Sequence, residues 1–156
     1  VMNATQLGTN DEDYHLNVVK EEIGRTKVIF VINKIDHLIS DDDNIYDVIE
    51  NQRRFLVSKG FRNPIICPVS ARAAYLVKKS EHEELNRIER REMDAYIDKF
   101  DQHSLGTYYE DYLHCPFLSS SKDESKDLLK DCGFGYLEQI IKHLSNGGKI
   151  NGTGLC

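Results

Sequence analysis

The sequence has no long hydrophobic run and no paired-cysteine motif. No apolar stretch approaches the roughly 18 residues that a membrane-spanning helix needs, and no charged-then-apolar leader opens the chain. None of the four cysteines belongs to a C-x-x-C pair, and their spacing matches no zinc site. We therefore predict no metal site, and we expect a reducing, cytoplasmic compartment rather than secretion.

An excess of basic residues is also absent. The chain has 20 Lys and Arg against 26 Asp and Glu, which gives a net charge of −6. Such a chain is poorly suited to binding a nucleic-acid backbone, because phosphates attract clusters of Lys and Arg. The arginines of residues 87–91 are interspersed with glutamates, a pattern typical of a solvated helix face. We predict no nucleic-acid partner.

The chain does contain a pattern of buried strands. Its 156 residues, of which 40% are hydrophobic, can form one domain with a substantial core. Residues 27–32 and 64–69 are short apolar runs without alternation, which are typical of parallel strands buried on both faces. Two prolines in the second run favour an edge strand. Residues 1–4 are interpreted as the end of a further strand.

Two helices are predicted between these strands. The first begins at Thr9 or Asn10, before an acidic run that suits a helix N-terminus, and ends near Gly24. The second runs over residues 45–59 and ends at Gly60. The order strand, helix, strand, helix, strand predicts an α/β fold with a parallel sheet and right-handed crossovers.

Residues 73–131 have a different character, because the charge density rises and no strand pattern appears. We predict a helical insertion here. Its helices are expected to begin at Ser80 and Ser121, since each serine is followed three residues later by a glutamate in a capping-box pattern. An apolar stripe is expected along the first of these helices, at Leu85, Ile88, Ile97 and Phe100.

A strongly amphipathic pattern after Gly133 predicts the last helix, and the two glycines of residues 147–148 end it. Residues 149–156 are expected to form a disordered tail. Residues 1–148 would then form one domain with its insertion at about 73–131.

The segment N-K-I-D at residues 33–36 directly follows the first buried run. In an open α/β sheet, ligands bind beyond the carboxyl ends of the strands. A carboxylate at Asp36 could there accept two hydrogen bonds from a ligand that carries adjacent donors. Alone, these four residues are equally compatible with a polar turn.

A second segment, S-A-R at residues 70–72, follows the next strand. The two segments together, each at the carboxyl end of a buried strand and with one helix between them, are far more specific than either alone. They resemble the N-K-x-D and S-A-K/R loops with which Ras-like GTPases recognise guanine.

The resemblance implies a role for each loop. In the first loop, Asp36 would read the guanine donors, Asn33 would bond the N7 edge and tie the two loops together, and the Lys34 stem would lie along the base. In the second loop, the Ala71 N–H would donate to guanine O6. The predicted guanine-binding residues are Asn33, Lys34, Asp36, Ser70, Ala71 and Arg72.

Other segments extend the resemblance to the dynamin-like family of GTPases. M-N-A-T-Q-L at residues 2–7 and the large insertion after the second loop are similar to that family, and G-F-G-Y-L at residues 133–137 looks like its glycine-rich start of the last helix. The resemblance implies a partial P-loop GTPase-type parallel sheet with flanking helices. It also implies GTP or GDP with Mg²⁺ as ligands of a complete domain, and GTP hydrolysis coupled to self-association or membrane remodelling.

The sequence departs from a complete GTPase in two places. It has no G-x-x-x-x-G-K-[ST] segment to hold the phosphates, and no glycine has an aspartate three residues before it, so the D-x-x-G segment is missing too. We therefore predict that the chain is the carboxyl-terminal part of a GTPase domain. We assign it no catalytic residue, and we expect it to hold no nucleotide tightly by itself.

Two functions remain open at this point. In the first, the parent protein is a cytoplasmic or peripheral-membrane GTPase that self-associates, with any membrane contact made by other parts of it. In the second, the chain is a non-enzymatic α/β interaction module or a GTPase relative that no longer turns over nucleotide. A phosphate-binding loop upstream of Val1 would favour the first.

Three other groups are weaker candidates for function. The His-Cys pair at residues 114–115 is an unfavourable nucleophile pair, because sequence neighbours rarely face each other. The aspartates of residues 41–43 lack the spaced ligands of a calcium loop. Tyr108, Tyr109 and Tyr112 suit the core of the insertion better than an interface patch.

Overall fold

The structure is a computed structural model that describes residues 1–22, 28–39, 45–113 and 128–147. Within them the chain is a mixed α/β fold around a parallel sheet of three strands. The strands are β1 (Met2–Asn3), β2 (Ile29–Asn33) and β3 (Ile65–Val69). They lie in the order β1-β2-β3, and both neighbouring pairs are parallel, so the predicted parallel α/β arrangement is confirmed.

Two helices connect the strands, and five more follow β3 in the described residues. The connecting helices are α1 (Asn10–Glu22) and α2 (Ile45–Ser58). The later ones are α3 (Ala71–Ser80), α4 (Arg87–Gln102), α5 (Gly106–Leu113), α6 (Leu128–Asp131) and α7 (Phe134–Ser145). None of the helices in this part of the chain is both long and apolar enough to cross a membrane.

The predicted helix ends before β3 agree with the structure where it describes them. The Thr9 hydroxyl accepts from the Glu12 N–H at 3.4 Å and so caps α1 at the predicted place. Gly60, at φ 91°, follows the end of α2 and adopts a backbone conformation that favours glycine. The predictions for Gly24, residues 41–43, the Tyr112 side chain, residues 114–115, Ser121 and the tail at 149–156 lie outside the described part of the structure.

The prediction that Ser80 begins a helix is wrong. Ser80 is the last residue of α3, and its hydroxyl donates to the Val77 carbonyl. The cap of α4 is Asn86, whose side chain accepts from two backbone N–H groups, while the Glu89 side chain accepts from the Asn86 N–H at 3.0 Å. This is a complete capping box, and it satisfies donors that Ser80 could not reach because its own backbone is already helical.

The apolar stripe predicted for α4 is only partly buried. Phe100 is fully buried and Leu85 nearly so, but Ile88 is 77% exposed. Ile88 lies in the first turn of α4, where the neighbouring residues 86, 87, 90 and 91 are also exposed. The carboxyl-terminal half of α4 therefore provides most of its apolar packing surface, while in the first turn Ile88 is exposed and Glu89 is buried.

Two tyrosines of α5 cover the outer edge of β3. The Tyr108 hydroxyl donates to the Ile66 carbonyl at 2.9 Å, and the Tyr109 hydroxyl donates to the Pro68 carbonyl at 2.7 Å. Both side chains are buried, so their prediction as core residues is confirmed. Among the described residues β2 is the only strand beside β3, so the predicted edge position of β3 is confirmed for this part of the chain.

Gly133 joins α6 to α7 at a point where only glycine fits. Its φ is +80°, and a Cβ atom built there would lie 2.2 Å from the Pro68 carbonyl oxygen. The adjacent Cys132 carbonyl accepts from the Ser70 N–H at 3.0 Å. The start of the last helix therefore sits directly against the end of β3, which positions residues 70–72.

Candidate functional site

The two predicted loops lie side by side at the carboxyl edge of the sheet. The register pairs Asn33, the last residue of β2, with Val69, the last residue of β3. We call residues 33–37 the first loop and residues 70–72 the second loop. Because parallel strands end at the same edge, the alignment of these two residues brings the two segments together without any further rearrangement.

Asn33 links the two loops directly. Its Oδ1 accepts from the Lys34 N–H at 2.8 Å and from the Ala71 N–H at 3.0 Å. The predicted tie between the loops is therefore present. The Ala71 N–H is also the group that we predicted to donate to guanine O6, so in this structure that donor is directed at Asn33.

Lys34 is held in a left-handed backbone conformation, with φ 64° and ψ 34°. This conformation is unfavourable for a residue with a Cβ atom, and such strain tends to occur at functional sites. The turn leaves the Lys34 side chain exposed while Ile35 is fully buried in the core. A short 3-10 helix, Ile35–His37, follows and places Asp36 beneath the neighbouring helix α4.

Asp36 is 7% exposed and is contacted from α4. Its Oδ2 lies 3.5 Å from the Tyr96 hydroxyl, which is long for an O–H···O bond, and 3.6 Å from His37 Nε2. Lys99 Nζ donates to the Asp36 carbonyl oxygen at 2.9 Å. Burial of the Tyr96 phenol is the main cause that raises its pKa to about 12, and the negative charge of Asp36 is the second.

Helix α4, which belongs to the segment predicted as a helical insertion, packs directly against the first loop. Phe100 fixes the carboxyl-terminal half of α4 in the core, and the Tyr96 ring stacks near it with centroids 6.3 Å apart. This packing holds Tyr96 and Lys99 against the first loop.

Ser70 has a structural role in the second loop. It is fully buried, its hydroxyl accepts from the Ala73 N–H at 3.4 Å, and its own N–H donates to the Cys132 carbonyl. These bonds cap α3 and fix its start against β3. A contact between Ser70 and a nucleotide base stays a prediction.

Arg72 is directed towards α4. Its Nε and Nη2 atoms donate to the two carboxylate oxygens of Glu92 at 2.8 and 2.7 Å, and its guanidinium carbon lies 5.3 Å from the Tyr75 ring centroid. The hydrogen bonds from Arg72 hold the pKa of Glu92 below its ordinary value. The second loop is thus tied to the same helix that contacts the first.

Sequence reasoning missed the three residues of α4 that contact the loops, Glu92, Tyr96 and Lys99. They follow one another at intervals of four and three, so they share one helix face. That spacing is equally typical of a solvated charged face, and only the tertiary packing distinguishes the two.

The chemistry available at this edge is that of polar recognition. It offers a carboxylate, an exposed lysine, a side-chain amide and the backbone N–H of a helix start. Among the residues that the structure describes, no three His, Cys, Asp or Glu side chains are grouped so that they could hold a metal ion. These are hydrogen-bonding groups, and the binding of a ligand by them stays a prediction.

No protein-family model, curated protein sequence or solved structure matches the chain. The resemblance to GTPases therefore depends on the two loop motifs and on the strands that precede them, and it stays a prediction.

Proposed function

We propose that this chain binds the base of a guanine nucleotide as part of a P-loop GTPase-type domain, of the dynamin-like kind. The observation that supports this most strongly is the Asn33–Ala71 hydrogen bond at 3.0 Å, because it joins the two motifs into one recognition edge. The parallel register brings the two segments to one edge of the sheet, and the bond from the Ala71 N–H to Asn33 Oδ1 then ties them together. Their juxtaposition is what the recognition of a single base by both loops requires.

Each group at the edge has a chemical role in this proposal. The Asp36 carboxylate accepts from guanine N1–H and the exocyclic amine, a charge-assisted pair that adenine cannot supply. The aliphatic stem of Lys34 covers one face of the base. The Asn33 side chain moves to bond the N7 edge when the base enters, and the Ala71 N–H that it releases donates to guanine O6. Phosphates and Mg²⁺ would be held by residues outside these two loops.

In the parent protein, hydrolysis of the γ-phosphate would follow the usual strategy of positioning and electrostatic stabilisation. Coupling to self-association, or to a membrane through other parts of the parent, belongs to the same proposal. The chain's own contribution is selectivity for guanine over adenine.

A second candidate function is a non-enzymatic α/β interaction module, and one observation favours it. The Asp36 side chain is only 9% exposed and faces Tyr96 and His37, while Arg72 is paired with Glu92. In a relative that no longer turns over nucleotide, these residues would keep the loops folded without reading a base.

Titration of the chain with GMP and AMP, followed by the amide resonances of the two loops, tests the proposal. We expect GMP to shift these resonances with an affinity on the order of millimolar, since the base alone offers few hydrogen bonds. AMP should leave them unchanged. GTP should also bind poorly, without measurable hydrolysis, and micromolar GTP affinity would contradict this.

The substitution Asp36→Asn sharpens the experiment. It should transfer the preference from GMP to XMP, because the amide can donate where xanthine has its additional carbonyl. Asp111→Asn, at an exposed position of α5, is the matched control and should keep the preference for GMP. Unchanged guanine selectivity in Asp36→Asn, or equal shifts with GMP and AMP, would favour the interaction module.

A further inference from the structure

One face of α4 contacts both loops of the proposed site. Glu92 pairs with Arg72 of the second loop, and Tyr96 and Lys99 contact Asp36 of the first. Lys99 binds the backbone of Asp36, whereas Tyr96 lies against its carboxylate. A single helix thus contacts the backbone of one loop, the side chain of that same loop, and the side chain of the other.

The position of α4 is fixed by contacts that are independent of the loops. Phe100 is fully buried, and Glu89, which completes the capping box, also forms an ion pair with Lys79 of α3 at 2.8 Å. The side-chain hydrogen bond from Lys79 holds the pKa of Glu89 below its ordinary value. Because the helix is anchored at both ends, it can act as a fixed reference for the loops.

We propose that this face of α4 positions both loops for recognition of the guanine base. Lys99 fixes the backbone of Asp36, Tyr96 orients its carboxylate, and Glu92 holds Arg72 and with it the second loop. The inference depends on the proposed guanine-binding function, and it makes these three side chains positioning residues rather than base contacts.

The expected contacts with guanine explain why the position of the two loops should affect base binding. A bidentate pair between a carboxylate and guanine needs both oxygens in the plane of the base, and small misplacements weaken such pairs strongly. A loop that is already ordered also loses less conformational entropy when the ligand binds. Contacts to half-exposed charges add little to stability, so their loss should affect binding more than folding.

The first test compares Lys99→Met with Arg91→Met. Both remove a cation from α4, but Arg91 is exposed on another part of the helix surface. Lys99→Met should weaken GMP binding on the order of tenfold with an unchanged thermal midpoint, Arg91→Met should bind as the unmodified chain does, and Lys99→Arg should restore most of the affinity. Equal GMP affinity in the two Met variants would overturn the inference.

Hydrogen exchange supplies a readout without nucleotide. The His37 and Leu38 N–H groups donate to Lys34 and Ile35 carbonyls at 3.0 and 2.9 Å within the first loop. If α4 holds this loop, these amides should exchange several-fold faster in Lys99→Met than in Arg91→Met. Equal exchange in the two variants would contradict the positioning role.

Charge reversal tests the second loop. Arg72→Glu places two carboxylates together and should weaken GMP binding, and adding Glu92→Arg should restore it. Failure of the double variant to recover would mean that Arg72 acts on the nucleotide itself, which overturns its role as a tether.

Two outcomes separate the inference from the proposed function. If the unmodified chain shows no preference for GMP over AMP, the proposed function fails, and the inference fails with it. Loss of the preference only in Asp36→Asn, with every α4 variant unaffected, would overturn the inference alone.

Discussion

The two loops at the carboxyl edge of the sheet obtain their shapes in different ways. The first loop bends through the left-handed backbone of Lys34 and is held from above by side chains of α4. The second loop is the start of α3, capped by the buried Ser70 and seated against Cys132 and Gly133. The first is a strained turn that exposes Lys34 and His37 and holds Asp36 beneath α4, and the second is a packed helix start.

From this difference we expect the two loops to have different roles, a division between recognition and stability. A strained and braced turn can present a carboxylate to a ligand, whereas a buried cap contributes mainly a rigid backbone N–H. We therefore expect substitutions in the second loop and its seat to change stability, and substitutions in the first loop to change recognition. The following predictions test that division, from the largest expected effect to the smallest.

Gly133→Ala should destabilise the protein by about 3 kcal/mol or more, because the new methyl group combines a backbone clash with an unfavourable φ. The clash is with the Pro68 carbonyl, which cannot move without distorting β3. Gly147→Ala is a matched control, since Gly147 has a similar φ of +81° but no atom within 4 Å of a built Cβ. Chemical denaturation should show a loss of only about 1 kcal/mol in the control. Similar losses in both variants would show that the seat of the second loop is not tightly packed.

Asp36→Ala should lower GTP affinity by roughly 2–4 kcal/mol in a domain that also contains a phosphate-binding loop, because guanine donors would be left unpaired. Folding stability should change much less than affinity if the first loop serves recognition. Calorimetric titration with GTP, together with thermal unfolding, measures the two effects separately. A variant that loses stability but keeps its GTP affinity would show that the first loop serves folding rather than recognition.

Ser70→Ala should cost about 1 kcal/mol of stability through loss of the α3 cap. Ser80→Ala is the comparison, because Ser80 is exposed at the end of the same helix and bonds only a carbonyl within it. Its effect should stay within about 0.5 kcal/mol. Urea denaturation of both variants provides the measurement, and a larger loss for Ser80→Ala would contradict the observed helix boundaries.

Tyr96→Phe should change stability only at high pH. Because the pKa of Tyr96 is raised from 10.0 to about 12, the folded state favours the neutral phenol. This contribution is fully present below about pH 10 and is lost as the pH rises through about 12. The variant has no phenol to ionise and should lose less stability over that range than the unmodified protein. Tyr75→Phe, at an exposed position on α3, should instead behave as the unmodified protein does.

Much of the fold could be predicted because local patterns agree with its tertiary structure. Apolar runs without alternation predicted β2 and β3. Neighbouring parallel strands necessarily bring the segments that follow them to one edge of the sheet. The juxtaposition of Asn33 and Ala71 followed from that geometry alone. Tyr108 and Tyr109 of α5 were predicted as core residues in preference to an interface patch, and both are buried.

Two features could not be predicted from local patterns. Residues 80–83 and 86–89 both fit a helix-capping box, S-x-x-E and N-x-x-E, and only the length of α3 decides between them. The contacts of Tyr96 and Lys99 with Asp36 join residues 60 and 63 positions apart. Their contact depends on how α4 packs against the first loop, which a periodic charge pattern does not specify.

The covering of β3 by α5 has a consequence for the order of folding. Tyr108 and Tyr109 lie 42 and 41 positions beyond the carbonyls that accept their hydroxyl protons. During synthesis, the outer edge of β3 is therefore uncovered while these later residues are still being added. An uncovered strand edge can pair with another chain. Pro68 has no N–H to offer, so it interrupts the row of donors and makes the growing chain a poorer template for aggregation until α5 arrives.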